Sequence, residues 1–170
     1  ENFTYKTSSG DLKGEDFSAK SSSIRTSSGD VRIGGFGGDL GLETSSGDAV
    51  IEYALKSGKA DITTSSGEIR LVNFSGDLNT KAQSGDIKID YAVFNNNIDM
   101  RSSSGEIELN LPSDSQFGIR VNTSSGDIRT DFSVAQSGEI DEDKLEGSVG
   151  NGNGNITITT SSGDVKIRKK

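Results

Sequence analysis

Cysteine, histidine and tryptophan are absent from this chain of 170 residues, and proline occurs once. Without cysteine, no disulfide framework and no thiol chemistry are available. Without histidine, the chain lacks the usual general base of hydrolases and the commonest ligand of transition metals. These absences predict a chain that is not an enzyme and that needs no cofactor.

Long apolar stretches are also missing. Hydrophobic residues make up 29% of the chain, and no run of them approaches the about 20 residues of a membrane-spanning helix. The chain begins at Glu1, which is not an initiator residue, so we expect any anchor or secretion signal to lie outside this fragment. We predict no membrane insertion for the fragment itself.

Negative charges outnumber positive ones, with 26 acidic and 18 basic residues. The formal net charge is −8 and the pI is about 4.6. A surface that binds nucleic acid is normally basic. The charge balance therefore argues against nucleic acid as a partner and against attraction to an anionic membrane.

One short motif, however, returns from one end of the chain to the other. Thr-Ser-Ser-Gly-Asp followed by alternating apolar residues occurs in full at residues 26–33. The glycines of this motif, which we call the corner glycines, are Gly10, Gly29, Gly47, Gly67, Gly85, Gly105, Gly126 and Gly163. They are separated by 19, 18, 20, 18, 20, 21 and 37 residues. A period near twenty, with strand-like alternation on both sides of a tight turn, is typical of a coiled repeat protein.

Within one repeat the pattern predicts two short strands and two turns. After Gly47, residues 48–53 form one predicted strand, residues 56–59 a turn, and residues 60–66 the return strand. Glycine at the corner supplies a backbone conformation that other residues reach only with strain. We therefore predict an all-β, single-stranded parallel β-helix (β-solenoid) of about eight coils of 18–21 residues, with two short strands per coil. The period does not determine the handedness, and analogy with longer coils favours a right-handed helix.

Residues 1–170 are predicted to form a single domain. The step of 37 residues from Gly126 to Gly163 allows either two coils with a lost corner or one coil with an insertion. Residues 133–154 hold a charged run and a Gly/Asn-rich segment but no second pair of alternating strands. We therefore favour an insertion that covers the open end of the stack, because an uncovered terminal coil would expose unpaired strand edges.

Period-two alternation also assigns side chains to files inside the stack. On the return strands it places Ile62 and Ile98 in an apolar file, and Thr64 and Met100 in a file of mostly threonine residues. A bulky, usually aromatic, residue follows the other strand at a similar offset in seven of the coils. These residues are Phe17, Phe36, Tyr53, Phe74, Tyr91, Leu111 and Phe132.

The chain also has a characteristic C-terminal ending. Phe132 and Val134 are followed in turn by residues 145–147, by a Gly/Asn-rich run and by a last corner motif at residues 160–167. In these features the chain resembles the bacterial adhesin-type β-strand-repeat domains of unknown function, over essentially its whole length. The resemblance implies a single-chain parallel β-helix attached to an exported or membrane-anchored bacterial protein. Some of the similar domains look like parts of cell-envelope stress systems. The family supplies no catalytic residues.

An acidic residue follows every corner glycine. These acidic corner residues are Asp11, Asp30, Asp48, Glu68, Asp86, Glu106, Asp127 and Asp164. Stacked in register about 5 Å apart, their carboxylates could gather calcium. However, a basic residue such as Arg32 lies two positions later in most coils and offsets the repulsion, and an acid at a corner suits turn capping. We favour the structural and solubilising role and predict no metal site.

A binding surface is predicted at the second turn of the coils and in the insertion, because repeat scaffolds keep their corners and vary their loops. The members of this candidate binding edge are Tyr53, Lys56, Lys59, Tyr91, Phe94, Asn96, Asp114 and Gln116. The aromatic members could contact sugar rings. Alternatively they close the narrow end of the core, which we favour.

Together these features predict a non-catalytic binding or adhesion module of the bacterial cell envelope. It would lie outside the cytoplasm, at the cell surface or anchored to the membrane, and present a rigid repetitive surface to an envelope protein or glycan. One alternative is a domain of an envelope-stress regulatory protein that senses a ligand or partner. Another is a polysaccharide-active enzyme, which would need two carboxylates about 5–10 Å apart, whereas the acids here recur with the repeat instead of clustering.

Overall fold

The structure is a computed structural model that describes residues 1–136 and 143–170. Within these ranges it contains sixteen β-strands and no helix. The strands are β1 (Asn2–Ser9), β2 (Leu12–Gly14), β3 (Ser18–Ser28), β4 (Val31–Ser46), β5 (Ala49–Thr64), β6 (Ile69–Phe74), β7 (Leu78–Ser84), β8 (Ile87–Tyr91), β9 (Asn97–Ser104), β10 (Ile107–Leu111), β11 (Phe117–Ser125), β12 (Ile128–Thr130), β13 (Ala135–Gln136), β14 (Lys144–Val149), β15 (Gly154–Ser162) and β16 (Val165–Lys169). All of them belong to one sheet, so the predicted all-β, solenoid-like repeat fold is confirmed.

The corners stack directly on one another. All eight corner glycines have φ between 111° and 148°, a range that favours glycine. A Cβ on Gly47 would lie 2.3 Å from the carbonyl oxygen of Gly29, and one on Gly85 would lie 2.1 Å from that of Gly67. The corner therefore requires glycine both for its backbone conformation and for its contact with the neighbouring corner.

The strands on either side of the corners form two parallel ladders. The strands that lead into the corners follow the order β1-β3-β4-β5-β7-β9-β15-β11. The strands that leave the corners follow the order β2-β4-β5-β6-β8-β10-β16-β12. β4 and β5 belong to both ladders because each continues around the second bend. The turn predicted at residues 56–59 is therefore wrong as a break between strands, since shifts in register between β4 and β5 take up the bend.

The inward side chains of both ladders form one apolar core that runs the length of the stack. Along it, aromatic rings form a continuous file with centroid separations between 4.6 and 5.8 Å. The rings are those of Phe3, Phe17, Phe36, Tyr53, Phe74, Tyr91, Phe94, Phe117 and Phe132. The prediction of a bulky file is correct except at Leu111, which is buried at the end of β10 while Phe94 and Phe117 continue the aromatic contacts.

One file assignment on the return strands is wrong by two residues. Met100 shares its file with Ile62, through the registers of β9 with β7 and of β7 with β5. The residue that replaces threonine in this coil is Ser102, three positions before the corner at Gly105. Ile98 consequently lies one inward position further from the corner than predicted. The register of a return strand is therefore set by the corner glycine that follows it, and residues at equal distances before their corners share a file.

The last two coils do not follow the order of the chain. β15 lies between β9 and β11, and β16 lies between β10 and β12. A Cβ on Gly163 would accordingly meet Gly105, and a Cβ on Gly126 would meet Gly163. The connection from β10 to β11, residues 112–116, passes the layer of β15 and β16, so it rises by two coil spacings, about 10 Å, instead of one.

The outer edge of β11 is covered by an antiparallel strand. β14 pairs with β11 from Phe117↔Val149 to Asn122↔Lys144, and β13 pairs in turn with β14. Both strands come from the segment predicted as an insertion, residues 133–154, of which residues 137–142 lie outside the described part. The change of direction ends the parallel ladder at β11. The domain boundaries themselves stay a prediction.

Candidate binding surface

Three aromatic members of the candidate binding edge lie in the core. Tyr53 is 2% exposed, Tyr91 is 0% exposed and Phe94 is 8% exposed. Burial raises the pKa of both tyrosine hydroxyls well above the ordinary value of 10.0. The Tyr91 hydroxyl donates a hydrogen bond to the carbonyl oxygen of Gly76 at 3.0 Å. The three rings therefore close the core, which is the favoured one of their two predicted roles. At this depth they are not accessible to a sugar.

Two polar members of the edge contact the chain that leads into β15. The side-chain oxygen of Gln116 accepts a hydrogen bond from the amide of Asn151 at 3.1 Å, and the Gln116 carbonyl accepts one from the amide of Gly154 at 3.2 Å. The carbonyl of Asn96 accepts a hydrogen bond from the amide of Asn155 at 3.1 Å. These residues position the C-terminal strand pair.

The other members of the edge are separate charges. The exposed Lys59 ammonium lies 3.1 Å from the carboxylate of Asp61, and the Lys59 amide donates to the carboxylate of Asp39 at 2.8 Å. Asp114 is exposed in the connection between β10 and β11. Lys56 lies among the residues whose side chains the structure does not describe. The predicted edge therefore divides into core aromatic residues, structural polar groups and scattered surface charges.

The acidic corner residues form hydrogen bonds from coil to coil. The carboxylate of Asp11 accepts a hydrogen bond from the amide of Asp30 at 3.0 Å, and that of Asp30 accepts one from the amide of Asp48 at 3.0 Å. The same contact links three further pairs, Asp48 with Glu68, Asp86 with Glu106, and Asp164 with Asp127. The carboxylate thus caps an amide of the neighbouring coil, because the coils stack within hydrogen-bonding reach of one another.

Basic residues flank this column of carboxylates. Arg32 lies 2.8 Å from Asp30, and Arg129 lies 2.6 Å from Asp127. The hydrogen bond from the Asp48 amide, helped by the Arg32 guanidinium, holds the pKa of Asp30 below its ordinary value. The predicted pairing of an acidic row with a basic row is confirmed at these corners, and exposed pairs of this kind each contribute little stability.

A metal-binding arrangement is not formed by the described residues. Within residues 1–136 and 143–170, no group of three or more acidic side chains is positioned to hold a metal ion. The hydrogen bonds above use one oxygen of several corner carboxylates for an amide of the next coil. The alternative in which the acidic column gathers calcium gains no support from this geometry.

An open groove of about 490 Å³ lies on the outer surface of the first coils, beside the strands that leave the corners. We call it the glycine groove, and it is lined by Lys13, Gly14, Glu15, Arg32, Ile33, Gly34, Val50 and Glu52. Gly34 directly follows Ile33, which pairs with Ile51, and the residue after Ile51 in the next coil is Glu52. A Cβ on Gly34 would meet no atom within 4 Å, so the missing side chain leaves open space.

The chemistry of the glycine groove is mixed. Val50 contributes an apolar side chain, Lys13 and Arg32 contribute positive charge, and Glu15 and Glu52 contribute negative charge. Apolar contact together with charges of both signs suits a ligand group that carries an ammonium and a carboxylate, or a polar sugar with one charged substituent.

The sequence predicts Arg32 only as a charge that offsets the acidic corner residues, and it predicts no groove at Gly34. The signal in the sequence is the replacement of an outward side chain by glycine and of a basic residue by Val50 in the next coil. These two replacements indicate a groove only when the register between coils is known, because the register decides which outward residues of neighbouring coils lie side by side.

Comparison with known proteins identifies the family but not an activity. Among the described residues, no helix has the length and apolar character needed to cross a membrane. No curated protein and no solved structure matches the chain. A family of β-repeat domains of unknown function matches it twice, over residues 1–72 and over residues 53–168, so that the two matches together span nearly the whole sequence. The predicted resemblance to β-repeat domains of unknown function is thereby confirmed, its adhesin character stays a prediction, and the chain belongs to the Toastrack DUF4097 family.

Proposed function

We propose that this Toastrack domain is a non-catalytic binding module of the bacterial cell envelope. The stacking of the corners in register supports the proposal, because it arranges exposed side chains in straight files along a stiff scaffold. Such a surface suits repeated contacts with an extended envelope protein or glycan. A position outside the cytoplasm, at the cell surface or anchored to the membrane, belongs to the same proposal and follows the resemblance to adhesin-type domains.

The finer architecture is part of the proposal. We infer a single-stranded parallel β-helix of eight coils with two strands each. By analogy with longer coils, we propose that the helix is right-handed. The parallel pairing throughout both ladders supports this inference, as does the presence of one corner glycine per coil. In such a scaffold the coils serve as a rigid support, and binding depends on differences between their outward residues.

The glycine groove is the part of the described surface best suited to hold a ligand group. It combines the apolar side chain of Val50 with the charged side chains of Lys13, Glu15, Arg32 and Glu52. The ligand class that fits is a glycan or short peptide with charges of both signs. Adhesion would then arise from many copies of the domain that each hold one such group.

The test is a substitution that fills the groove without disturbing the fold. Gly34→Leu adds a side chain to the open space, since φ at this position does not require glycine. Gly41→Leu is the matched control, because Gly41 faces outward on the other ladder and a Cβ there would meet only the carbonyl oxygen of Ser22 at 3.6 Å. The two variants and the unmodified domain are applied to an array of bacterial glycans and to immobilised peptidoglycan fragments.

We expect the unmodified domain and Gly41→Leu to retain the same set of glycans or fragments. Gly34→Leu should bind the same ligands at least about tenfold more weakly, because the leucine side chain occupies the groove and excludes the ligand group. Equal retention of all three proteins would contradict the assignment of the groove. Cleavage of any glycan on the array, measured by released reducing ends, would instead favour the enzyme alternative.

A further inference from the structure

The C-terminal coil, residues 154–169, occupies a slot between two coils that precede it in the chain. Its strand β15 pairs with β9 on one side and with β11 on the other. Its strand β16 pairs with β10 on one side and with β12 on the other. This coil therefore enters a space whose two walls are formed by earlier parts of the chain.

The segment that leads into the slot is rich in glycine. Residues 150–154 read Gly-Asn-Gly-Asn-Gly, and Gly150 and Gly152 have φ values of 59° and 67°. Contacts at Gln116 hold this segment through the amides of Asn151 and Gly154. A short segment with two left-handed glycines can adopt other paths at low cost, so it is suited to act as a hinge.

Both walls recognise the C-terminal coil by features that every copy of the chain carries. The pairing is backbone hydrogen bonding in a parallel ladder, with inward Ile156 and Ile158 fully buried in the core. The corner at Gly163 contacts the backbone of Gly105 and of Gly126. All these contacts form equally well when the coil comes from a second molecule, because nothing in them depends on the connection to residues 143–149.

From this geometry we propose that the C-terminal coil is exchangeable, so that two copies of the domain associate by each inserting its coil into the slot of the other. The partner is thus a second copy of this chain, and the interaction surface is the pair of walls formed by β9 with β10 and by β11 with β12. Intramolecular insertion dominates in dilute solution. Exchange competes with it when the protein concentration approaches the effective concentration set by a short flexible linker, which is on the order of 1 mM. The proposal does not depend on the glycine groove or on any ligand.

Engineered disulfides distinguish exchange from insertion within one molecule, since the chain has no cysteine of its own. The test variant carries Arg101→Cys and Thr159→Cys, two exposed positions that are partners across β9 and β15. Neighbouring residues in a parallel ladder lie about 4.8 Å apart, within the range that a disulfide spans. The control variant carries Lys81→Cys and Arg101→Cys, which are partners across β7 and β9 in coils that follow chain order.

The full-length variants are opened in urea, returned to native buffer at concentrations from about 1 µM to about 1 mM, oxidised, and separated on non-reducing gels. We expect the control pair to give a covalent monomer throughout. The test pair should give a covalent monomer when dilute and comparable amounts of monomer and covalent dimer at the highest concentration. A single Thr159→Cys variant measures the dimer that random collisions produce.

Two results would overturn the proposal. In the first, the test pair remains monomeric at every concentration, which means that the coil never leaves its own slot for another. In the second, the test pair gives no more dimer than the control pair or the single variant, which assigns the dimer to random contact. Loss of ligand binding in the Gly34→Leu variant, by contrast, has no bearing on these gels, so this proposal and the proposed function fail separately.

Discussion

The coils up to β10 and the coils after it use the same motif but are assembled differently. In residues 2–111 each coil pairs with the coil that precedes it in the chain. The C-terminal coil instead pairs with β9. Its Asn155 contacts Asn97, which lies 58 residues earlier in the chain. The difference teaches that contact between coils depends on the matching repeat and not on the order in which the chain produces the coils.

The two regions also differ at the hydroxyl position three residues before the corner glycine. Thr26, Thr44 and Thr64 each donate a hydrogen bond to the carbonyl oxygen two residues later, at 3.2, 3.3 and 3.0 Å. The hydroxyls of Thr123 and Thr160, in the rearranged coils, are buried and find no partner among the described residues. A buried hydroxyl without a partner costs free energy. At this position, then, the region that departs from chain order is less well satisfied than the region that keeps it.

Corner glycines offer the strongest way to separate the two regions. We expect Gly47→Ala and Gly163→Ala each to lower the free energy of unfolding by about 3 kcal/mol or more, because φ is positive at both and the new Cβ would overlap a carbonyl oxygen at 2.3 and 2.1 Å. Gly47→Ala should disrupt the chain-order stack, whereas Gly163→Ala should release the C-terminal coil and leave residues 2–111 folded. Urea unfolding gives the free energy, and hydrogen exchange locates the loss.

Gly34→Ala is the control for this pair. Its φ does not require glycine and a Cβ there would meet open space, so its free energy of unfolding should change by no more than about 0.5 kcal/mol. If Gly163→Ala removed exchange protection evenly from the whole chain, the two regions would be one cooperative unit and the comparison would fail.

Alkaline pH should act first on the chain-order region. The buried Tyr53 and Tyr91 lie there, and the chain after β10 contains no tyrosine. Because burial raises their pKa, the folded state keeps both protons while the unfolded state loses them above about pH 10. Stability is therefore complete below that pH and falls above it, by at most about 1.4 kcal/mol per pH unit for each tyrosine.

Urea midpoints between about pH 8 and about pH 11 measure this loss. The double variant Tyr53→Phe/Tyr91→Phe should flatten the alkaline slope. At neutral pH, Tyr91→Phe should cost about 1 kcal/mol because the Gly76 carbonyl loses its 3.0 Å hydrogen bond, while Tyr53→Phe should be close to neutral because its hydroxyl has no partner among the described residues. An unchanged slope in the double variant would show that other groups cause the alkaline loss.

Threonine substitutions should change the free energy of unfolding least, and they compare the same hydroxyl position in the two regions. Thr44→Val should lower the free energy of unfolding by about 1 kcal/mol, because it removes the hydrogen bond to the Ser46 carbonyl. Thr160→Val should be neutral or slightly stabilising, because it removes a buried hydroxyl that has no partner in the described structure. Thermal or urea unfolding of the two variants checks the difference, and equal costs would mean that the hydroxyl position is satisfied alike in both regions.

Much of the fold was predictable because each coil repeats a local rule. The Ser-Ser-Gly-Asp corner requires positive φ, and alternation after it sends residues such as Val31 and Ile33 inward, where both are buried. The same rule misassigned Met100. It lies five residues before Gly105, as Ile62 lies five residues before Gly67, and the ladder pairs these two positions through Thr80. For Tyr53 the sequence left two roles open, a place in the core, which we favoured, and a place at a binding edge. The structure buries this side chain, and the bend lies inside β5.

The candidate site was much less predictable. A groove forms where outward residues from three neighbouring coils meet, and Arg32, Gly34 and Val50 become neighbours only through the register between β4 and β5. No single repeat contains that information. The sequence indicated that the second turns and the insertion vary, but not which outward residues face the same space.

The sequence alone determined the coil: its length, its glycine corner, its inward files and its all-β character follow from local sterics and period-two alternation. The order of the coils was decided by the tertiary structure. Because the repeats are nearly identical, a last corner placed between those of Gly105 and Gly126 satisfies the same local rule as one placed beyond Gly126, so local preferences cannot choose between the two orders. The choice depends on the antiparallel β14, which covers the outer edge of β11 and leaves the slot beside β9 for the C-terminal coil.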